Sequence, residues 1–242
     1  MGPMGFTIKT PIPMRLYRAC SLLIFLSVQF LSGQEHPLLA EDSLAQAHWV
    51  DRQYESMTPE QRVGQLFVVM AHSDQGPALE QKILCWIRDY HIGGLVFSTG
   101  GPVRQARLTN TFQNASSTPL LIAMDAEWGL AMRLDSTYAF PWNMTLGAVQ
   151  DSLLLEDIGH QIGTQLTRIG VHMNFAPVLD VNINPDNPII KGKGRSFSAD
   201  PDIVVRHAET FVDAHHRNGV LCTLKHFPGH GSSRGDSHLG FV

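Results

Sequence analysis

The chain has 242 residues, 43% of them hydrophobic and 17% charged, with a formal net charge of −4. This composition excludes a disordered, collagen-like or acidic-tail protein, and no lysine or arginine block offers a nucleic-acid surface. Three cysteines, Cys20, Cys85 and Cys222, share no short spacing, which excludes a disulfide scaffold and a cysteine zinc site.

The first segment reads as an address. Lys9, Arg15 and Arg18 precede an apolar run from Ala19 to Leu31, and the small residues Ser32 and Gly33 follow. Basic, apolar and small in that order is a secretory signal, and the run is too short to span a bilayer comfortably. Residues 1–33 are predicted to be removed. That leaves 15 basic against 22 acidic residues, no membrane span, and a periplasmic or extracellular protein. Residues 34–56 read as a lead-in. Cys85 and Cys222 lie in apolar runs and are expected to be buried free thiols.

From residue 57 the pattern alternates. Thr58-Pro59-Glu60-Gln61 is a capped helix start, because Thr58 can accept from the first turn and Gln61 can reach back. Leu66–Met70 reads as a buried strand. Pro77–Tyr90 is a helix with Leu79, Ile83 and Ile87 at spacing four, and Gly93-Gly94 breaks it. Leu95–Phe97 is a strand, Val103–Ala115 a helix and Leu120–Met124 a third strand. Asp151–Ile169 is helical, Val171–Val181 holds a fourth strand, a helix opens at Asp200-Pro201 and Gly219 ends it, and Val220–Phe227 is the fifth strand.

Helices between doubly apolar strands mean a parallel sheet covered by helices. A doubly wound sheet and a (β/α)8 barrel both fit. No Gly-x-Gly-x-x-Gly turn follows the first strand, so dinucleotide binding has no support. The charged residues Asp125, Glu127, Asp180, Lys225 and His226 gather just past strand C-termini, which is the barrel habit. About five strand–helix units can be counted where a barrel needs eight. The α/β architecture expected is therefore a (β/α)8 TIM barrel truncated after about five units, with the remaining strands past residue 242.

Three loops carry the chemistry. Lys225-His226-Phe227-Pro228-Gly229-His230-Gly231 runs on to Asp236-Ser237-His238. Asp236 and His238, two apart, can point at one site. A carboxylate that accepts from one imidazole nitrogen fixes the tautomer and raises the basicity of the other, which makes a general acid/base. His226, His230, Asp236 and His238 could also ligate a metal, but no second cluster completes a set and Lys225 would oppose a cation; no metal and no cofactor are expected. The second loop, Asp125 to Arg133, offers a carboxylate for sugar hydroxyls, a flat apolar face at Trp128 and a donor fork at Arg133; a structural ion pair between Asp125 and Arg133 is the lesser alternative. The third runs from Asn174 to Asp180 and on to Gly194-Arg195-Ser196-Phe197. Asp180 is expected to order the segment that carries Arg195.

These segments resemble glycoside hydrolase family 3, in its bacterial β-N-acetylhexosaminidase branch, from about Met57 onward. The Lys-His-Phe-Pro-Gly-His-Gly…Asp-Ser-His run is the most specific part. The resemblance implies a (β/α)8 barrel with its site at the strand C-termini, with Asp125, Arg133, Arg195, Lys225 and His226 binding the sugar. It implies His238 as acid/base with Asp236 as its partner, and a nucleophilic aspartate roughly seventy residues past His238. Where family members often read Asp-x-Glu-Gly-Gly-Arg-Val, this chain reads Asp125-Ala126-Glu127-Trp128-Gly129-Leu130-Ala131. The implied activity is retaining hydrolysis of terminal β-N-acetylglucosaminides in glycans, with the piece 1–242 inactive alone. Phosphorolysis and non-catalytic sugar binding are the rival expectations.

Overall fold

Local capping and apolar periodicity place the helices of this chain, and the order of its strands distinguishes the two architectures. The structure is a computed structural model that describes residues 43–240. The expected signal at 1–33 and the first residues of the lead-in lie outside the described residues. The chain divides into a unit of residues 1–46 and a unit of residues 47–242, and the whole sheet belongs to the second.

Within the lead-in, Ser43–Ser56 forms a helix, α1, that buries none of its residues. The Arg62 guanidinium stacks 3.8 Å over the Tyr54 ring, and its Nε donates to the Tyr54 carbonyl. Helix α2 (Pro59–Gly64) starts as the sequence predicts. Gln61 N–H donates to Thr58 Oγ1 and Thr58 N–H to Gln61 Oε1, a reciprocal cap. Tight turns from Val63 and Gly64 then use up residues 65–67, so β1 is Val68–His72, two residues later than expected. Nor is it buried as expected: Leu66, Phe67, Val68 and Met70 are exposed. β1 pairs only with β2 among the described residues, which leaves its other backbone edge unpaired.

Helix α3 (Pro77–Tyr90), β2 (Gly94–Thr99), α4 (Pro102–Ala115) and β3 (Leu121–Met124) follow close to the predicted bounds. In α3, Ile83 and Ile87 turn inward. Cys85 is two residues from Ile83, about 200° around the helix, and is exposed, contrary to its expected burial. Its thiol donates to Asp89 Oδ2 at 2.9 Å. Cys222 is partly buried, and burial pushes its thiol up to about 12.

A short helix, α5 (Asn143–Leu146), precedes α6 (Ser152–Arg168), which is capped by Asp151. β4 is only Met173–Asn174 and β5 only Leu221–Cys222, both shorter than predicted. Pro177 has no N–H to continue the ladder, and beyond it a single parallel bridge joins Val178 to Lys225. Between β4 and β5 lies α7 (Pro201–His216), capped by Asp200. It packs on α6 where Gly159 leaves room; a Cβ there would come 2.9 Å from the Ala214 methyl.

All four pairings are parallel, in the order β1-β2-β3-β4-β5. A doubly wound sheet reverses its order at a switch point; a barrel runs in sequence. This sheet never reverses, so it is part of a barrel wall. Phe97, Met124, Asn174 and Cys222 stand level across four strands. Phe97, Ile122, Met124, Phe112 and Leu166 fill the core beneath the helices. The strand C-termini therefore end together, and the chemistry lies just above that layer.

Candidate active site

The strand ends bring distant charges into one cluster. Asp125 follows β3. Its Oδ2 accepts from Arg133 Nη2 at 2.6 Å and its Oδ1 from Lys225 Nζ at 2.8 Å. Lys225 also reaches Glu127 Oε1 at 2.8 Å. Glu127, whose side chain is 0% exposed, accepts two bonds from Arg195, Nη2 at 2.6 Å and Nε at 3.0 Å. Arg195 Nη2 lies 3.3 Å from His226 Nε2, and His226 Nδ1 is 2.5 Å from Asp180 Oδ2. Because the guanidinium can only donate, Nε2 accepts and Nδ1–H donates to Asp180.

Arg133, Arg195 and Lys225 thus balance Asp125, Glu127 and Asp180, as buried charges require. Burial works to raise the Asp125 carboxyl, but the Lys225 ammonium and then Arg133 outweigh it and hold the group below its usual range. Glu127 is likewise lowered against burial, by Arg195 and Lys225. At Asp180 the His226 ring and the His230 N–H overcome burial in the same way. Burial lowers the Arg195 guanidinium, yet Glu127, Asp180 and Asp125 carry its pKa upward overall. The cluster presents both donors and acceptors, the pattern that a polyhydroxylated ring needs.

The backbone under the cluster is locked from behind. Asn174 is fully buried. Its Oδ1 accepts from Ala126 N–H at 3.0 Å and its Nδ2 donates to the Ala126 carbonyl at 3.2 Å. Nδ2 also faces His215 Nε2 at 3.1 Å, while His215 Nδ1 faces the Phe211 carbonyl at 2.9 Å. The carbonyl needs a donor, so Nδ1 carries the proton and Nε2 accepts from Asn174. Burial depresses the His215 pKa to about 4, keeping it neutral. Ala126 lies between Asp125 and Glu127, so this relay fixes both carboxylates.

Asp236 and His238 do meet. His238 Nδ1 is 2.6 Å from Asp236 Oδ1, and the His238 N–H donates to the same oxygen at 2.9 Å. Those two hydrogen bonds, the backbone one first, hold the Asp236 carboxyl below its usual range. The His238 side chain is 83% exposed, and among the described residues no hydrogen bond or ion pair joins the dyad to Asp125 or Lys225. A cleft of about 810 Å³ runs along the dyad loop, lined by His226, Phe227, His230, Arg234 and Ser237. The dyad loop is tied to the loop after β4 that carries Arg195. Asn187 Nδ2 donates to the His230 and Ser233 carbonyls, Asn184 Nδ2 to that of Ser233, and the Lys193 charge acts on Asp236.

Asp180 holds the His226 ring and the His230 N–H, and reaches the Arg195 segment through that ring, whose Nε2 accepts from Arg195. His230, one of the possible metal ligands, is buried, with Nδ1 on Ser233 Oγ and Nε2 on Ser237 Oγ, so it braces the loop. Glu127, one of the charged strand-end residues, takes a role here that its immediate sequence does not mark. A signal for it existed: Arg133, Arg195 and Lys225 at one site leave two cations unpaired if Asp125 is their sole carboxylate. Among the described residues no three His, Cys, Asp or Glu side chains gather as a metal would require.

The model of the "Glycosyl hydrolase family 3 N terminal domain" matches residues 58–242. Beta-hexosaminidase A of Pseudoalteromonas piscicida is 40% identical over 167 residues, covering 64% of this chain and 28% of that protein. Beta-hexosaminidase LpqI of Mycobacterium tuberculosis is 31% identical over 190 residues, 77% of this chain and 47% of its own length. The chain thus spans less than half of either relative. Among solved structures, a family 3 β-N-acetylglucosaminidase from Paenibacillus sp. superposes with a TM-score of 0.68 at 35% identity, over 76% of this chain and 35% of that one. The β-glucoside phosphorylase BglX bound to 2FGlc superposes with a TM-score of 0.73 at 27% identity, over 79% and 34%. The family model covers more than half of the sequence, and this chain belongs to glycosyl hydrolase family 3.

Proposed function

We propose that the protein containing this chain hydrolyses terminal, non-reducing β-N-acetylglucosaminides with retention. The observation that carries the reading is the Asp236–His238 pair on a loop anchored to the Arg195 segment. Asp125, Arg133, Arg195, Lys225 and His226 hold the sugar hydroxyls, with Glu127 and Asp180 orienting the cations and the His226 ring. His238 protonates the leaving oxygen and later takes a proton from the attacking water; Asp236 fixes its tautomer. The carboxylate that accepts the glycosyl group is the aspartate that the resemblance sets beyond residue 242. The names of the two hexosaminidase relatives support the substrate class. The basic and apolar opening of the sequence supports export across the inner membrane, and no helix among the described residues is long and apolar enough to cross a membrane.

The test uses the full-length protein. His238→Ala is expected to lower kcat on an alkyl N-acetylglucosaminide by roughly 10²–10⁴-fold, with a much smaller loss on a nitrophenyl glycoside, whose leaving group needs little protonation. Wild-type rates on the alkyl glycoside would remove His238 from the mechanism.

A second reading, phosphorolysis, is favoured by the superposition on a β-glucoside phosphorylase. An imidazole acid/base, unlike a carboxylate, does not repel phosphate. Product analysis with and without phosphate separates the two; a sugar 1-phosphate identifies the phosphorylase.

A further inference from the structure

We propose that Trp128 and Trp142 form a stacking platform for the sugar ring on the leaving-group side of the scissile bond, so that the preferred substrate is an oligosaccharide rather than a simple glycoside. The inference deepens the hydrolase reading and rests on it for the direction of the chain.

The two indoles hang on the deepest pair of the charged cluster. Trp128 follows Glu127. Trp142 precedes Asn143, whose Nδ2 donates to the Arg195 carbonyl at 2.9 Å. Their ring centroids are 5.6 Å apart and the planes are tilted by 42°, which gives an open wedge rather than a closed stack. Trp142 is 51% exposed, yet it is not loose. Gly194, at φ +57, lies beneath it; a Cβ there would sit 3.1 Å from Trp142 Cε3, a tight contact in a left-handed conformation that favours glycine. The Met144 N–H closes the contact on the Gly194 carbonyl at 3.0 Å. Tyr138, also exposed, meets Phe140 edge-on at 4.9 Å, and the Phe140 N–H donates to the Trp128 carbonyl. Two aromatic pairs, joined through the Trp128 backbone, therefore lie next in sequence to Glu127 and Asn143.

A half-exposed indole presents a flat apolar face to solvent. The occupant that suits it has an apolar face for the ring and polar edges for the cluster beside it. A pyranose has both, since its axial C–H bonds form a flat apolar face and its equatorial hydroxyls point outward. The side of the scissile bond follows from the shared loop. The loop after β4 carries Asn187, which donates to the His230 and Ser233 carbonyls of the dyad loop, Gly194, which lies against Trp142, and Arg195, which binds Glu127. The platform and the proposed proton donor are thus both anchored to one loop, and the group that receives the proton is the leaving sugar.

The experiment measures binding to the full-length protein by calorimetry, with N-acetylglucosamine and its sulfur-linked β-1,4 disaccharide, which is not cleaved. Trp142→Ala is expected to reduce the ratio of disaccharide to monosaccharide affinity by about tenfold, the scale of one aromatic contact, and Trp142→Phe to restore most of it. An unchanged ratio, whether both affinities fall together or neither falls, overturns the platform. Hydrolysis of the oxygen-linked disaccharide is assayed in parallel. If the wild type binds through Trp142 but cleaves nothing, the hydrolase reading fails and the platform stands.

Discussion

Glu127 is the residue whose removal most directly tests the electrostatic account of the site. It is fully buried and receives two bonds from Arg195 and one from Lys225. Glu127→Gln keeps the shape and deletes the charge, leaving the amide NH₂ against a cation that can only donate. Breaking a buried ion pair by altering one partner costs about 3–5 kcal/mol. Lys225 keeps Asp125 as a partner, which puts the expected loss near the lower end, about 3 kcal/mol at pH 7. The pH dependence makes the test specific. The folded-state pKa of Glu127 lies below its unfolded value of about 4.3, so the ionised side chain contributes its full stabilisation above that pH. The contribution fades as pH falls through the folded value, because the protonated acid then resembles the amide. Urea denaturation of the full-length wild type and Glu127→Gln at pH 7 and pH 3 should therefore show a gap that narrows in acid. A gap of the same size at both pH values would mean that packing, not charge, holds Glu127, and the account of the cluster would fail.

His215 acts in a separate window. Its pKa is depressed by burial to about 4, so the wild type should lose up to about 3 kcal/mol as pH falls from 6.5 towards 4, and a His215→Gln variant should lose less over that range in the same assay. Because the relay ends on Ala126, the same substitution should raise KM for the N-acetylglucosaminide more than it lowers kcat. The two thiols should separate chemically. Iodoacetamide at pH 8 should label exposed Cys85 and spare Cys222, and Asp89→Asn should speed the labelling of Cys85, because its hydrogen bond to Asp89 is what chiefly raises that thiol. Mass spectrometry after brief labelling checks both points.

Local signals in the sequence were sufficient wherever neighbours along the chain decide the outcome. The cap at Thr58 and the periodic stripes of α3 and α6 depend on contacts one or two turns away, and they stand where the pattern predicts. The Asp236–His238 pair is another such case, since a spacing of two residues brings the groups together in an extended loop. Strand extents were less legible. β4 and β5 shrink to two paired residues because pairing depends on what the neighbouring strand presents.

The amino-acid order by itself thus determined the helices, the alternation that makes a parallel sheet, and the identity of the charged residues at its rim. Only the tertiary structure decided how those charges pair: Glu127 with Arg195 across 68 positions, Asp180 with His226 across 46, Asp125 with Lys225 across 100. The physical reason is that Coulomb attraction and desolvation act through space. A carboxylate in a barrel mouth takes as its partner whichever cation the strand ends place beside it, and the distance along the chain carries no information about that choice.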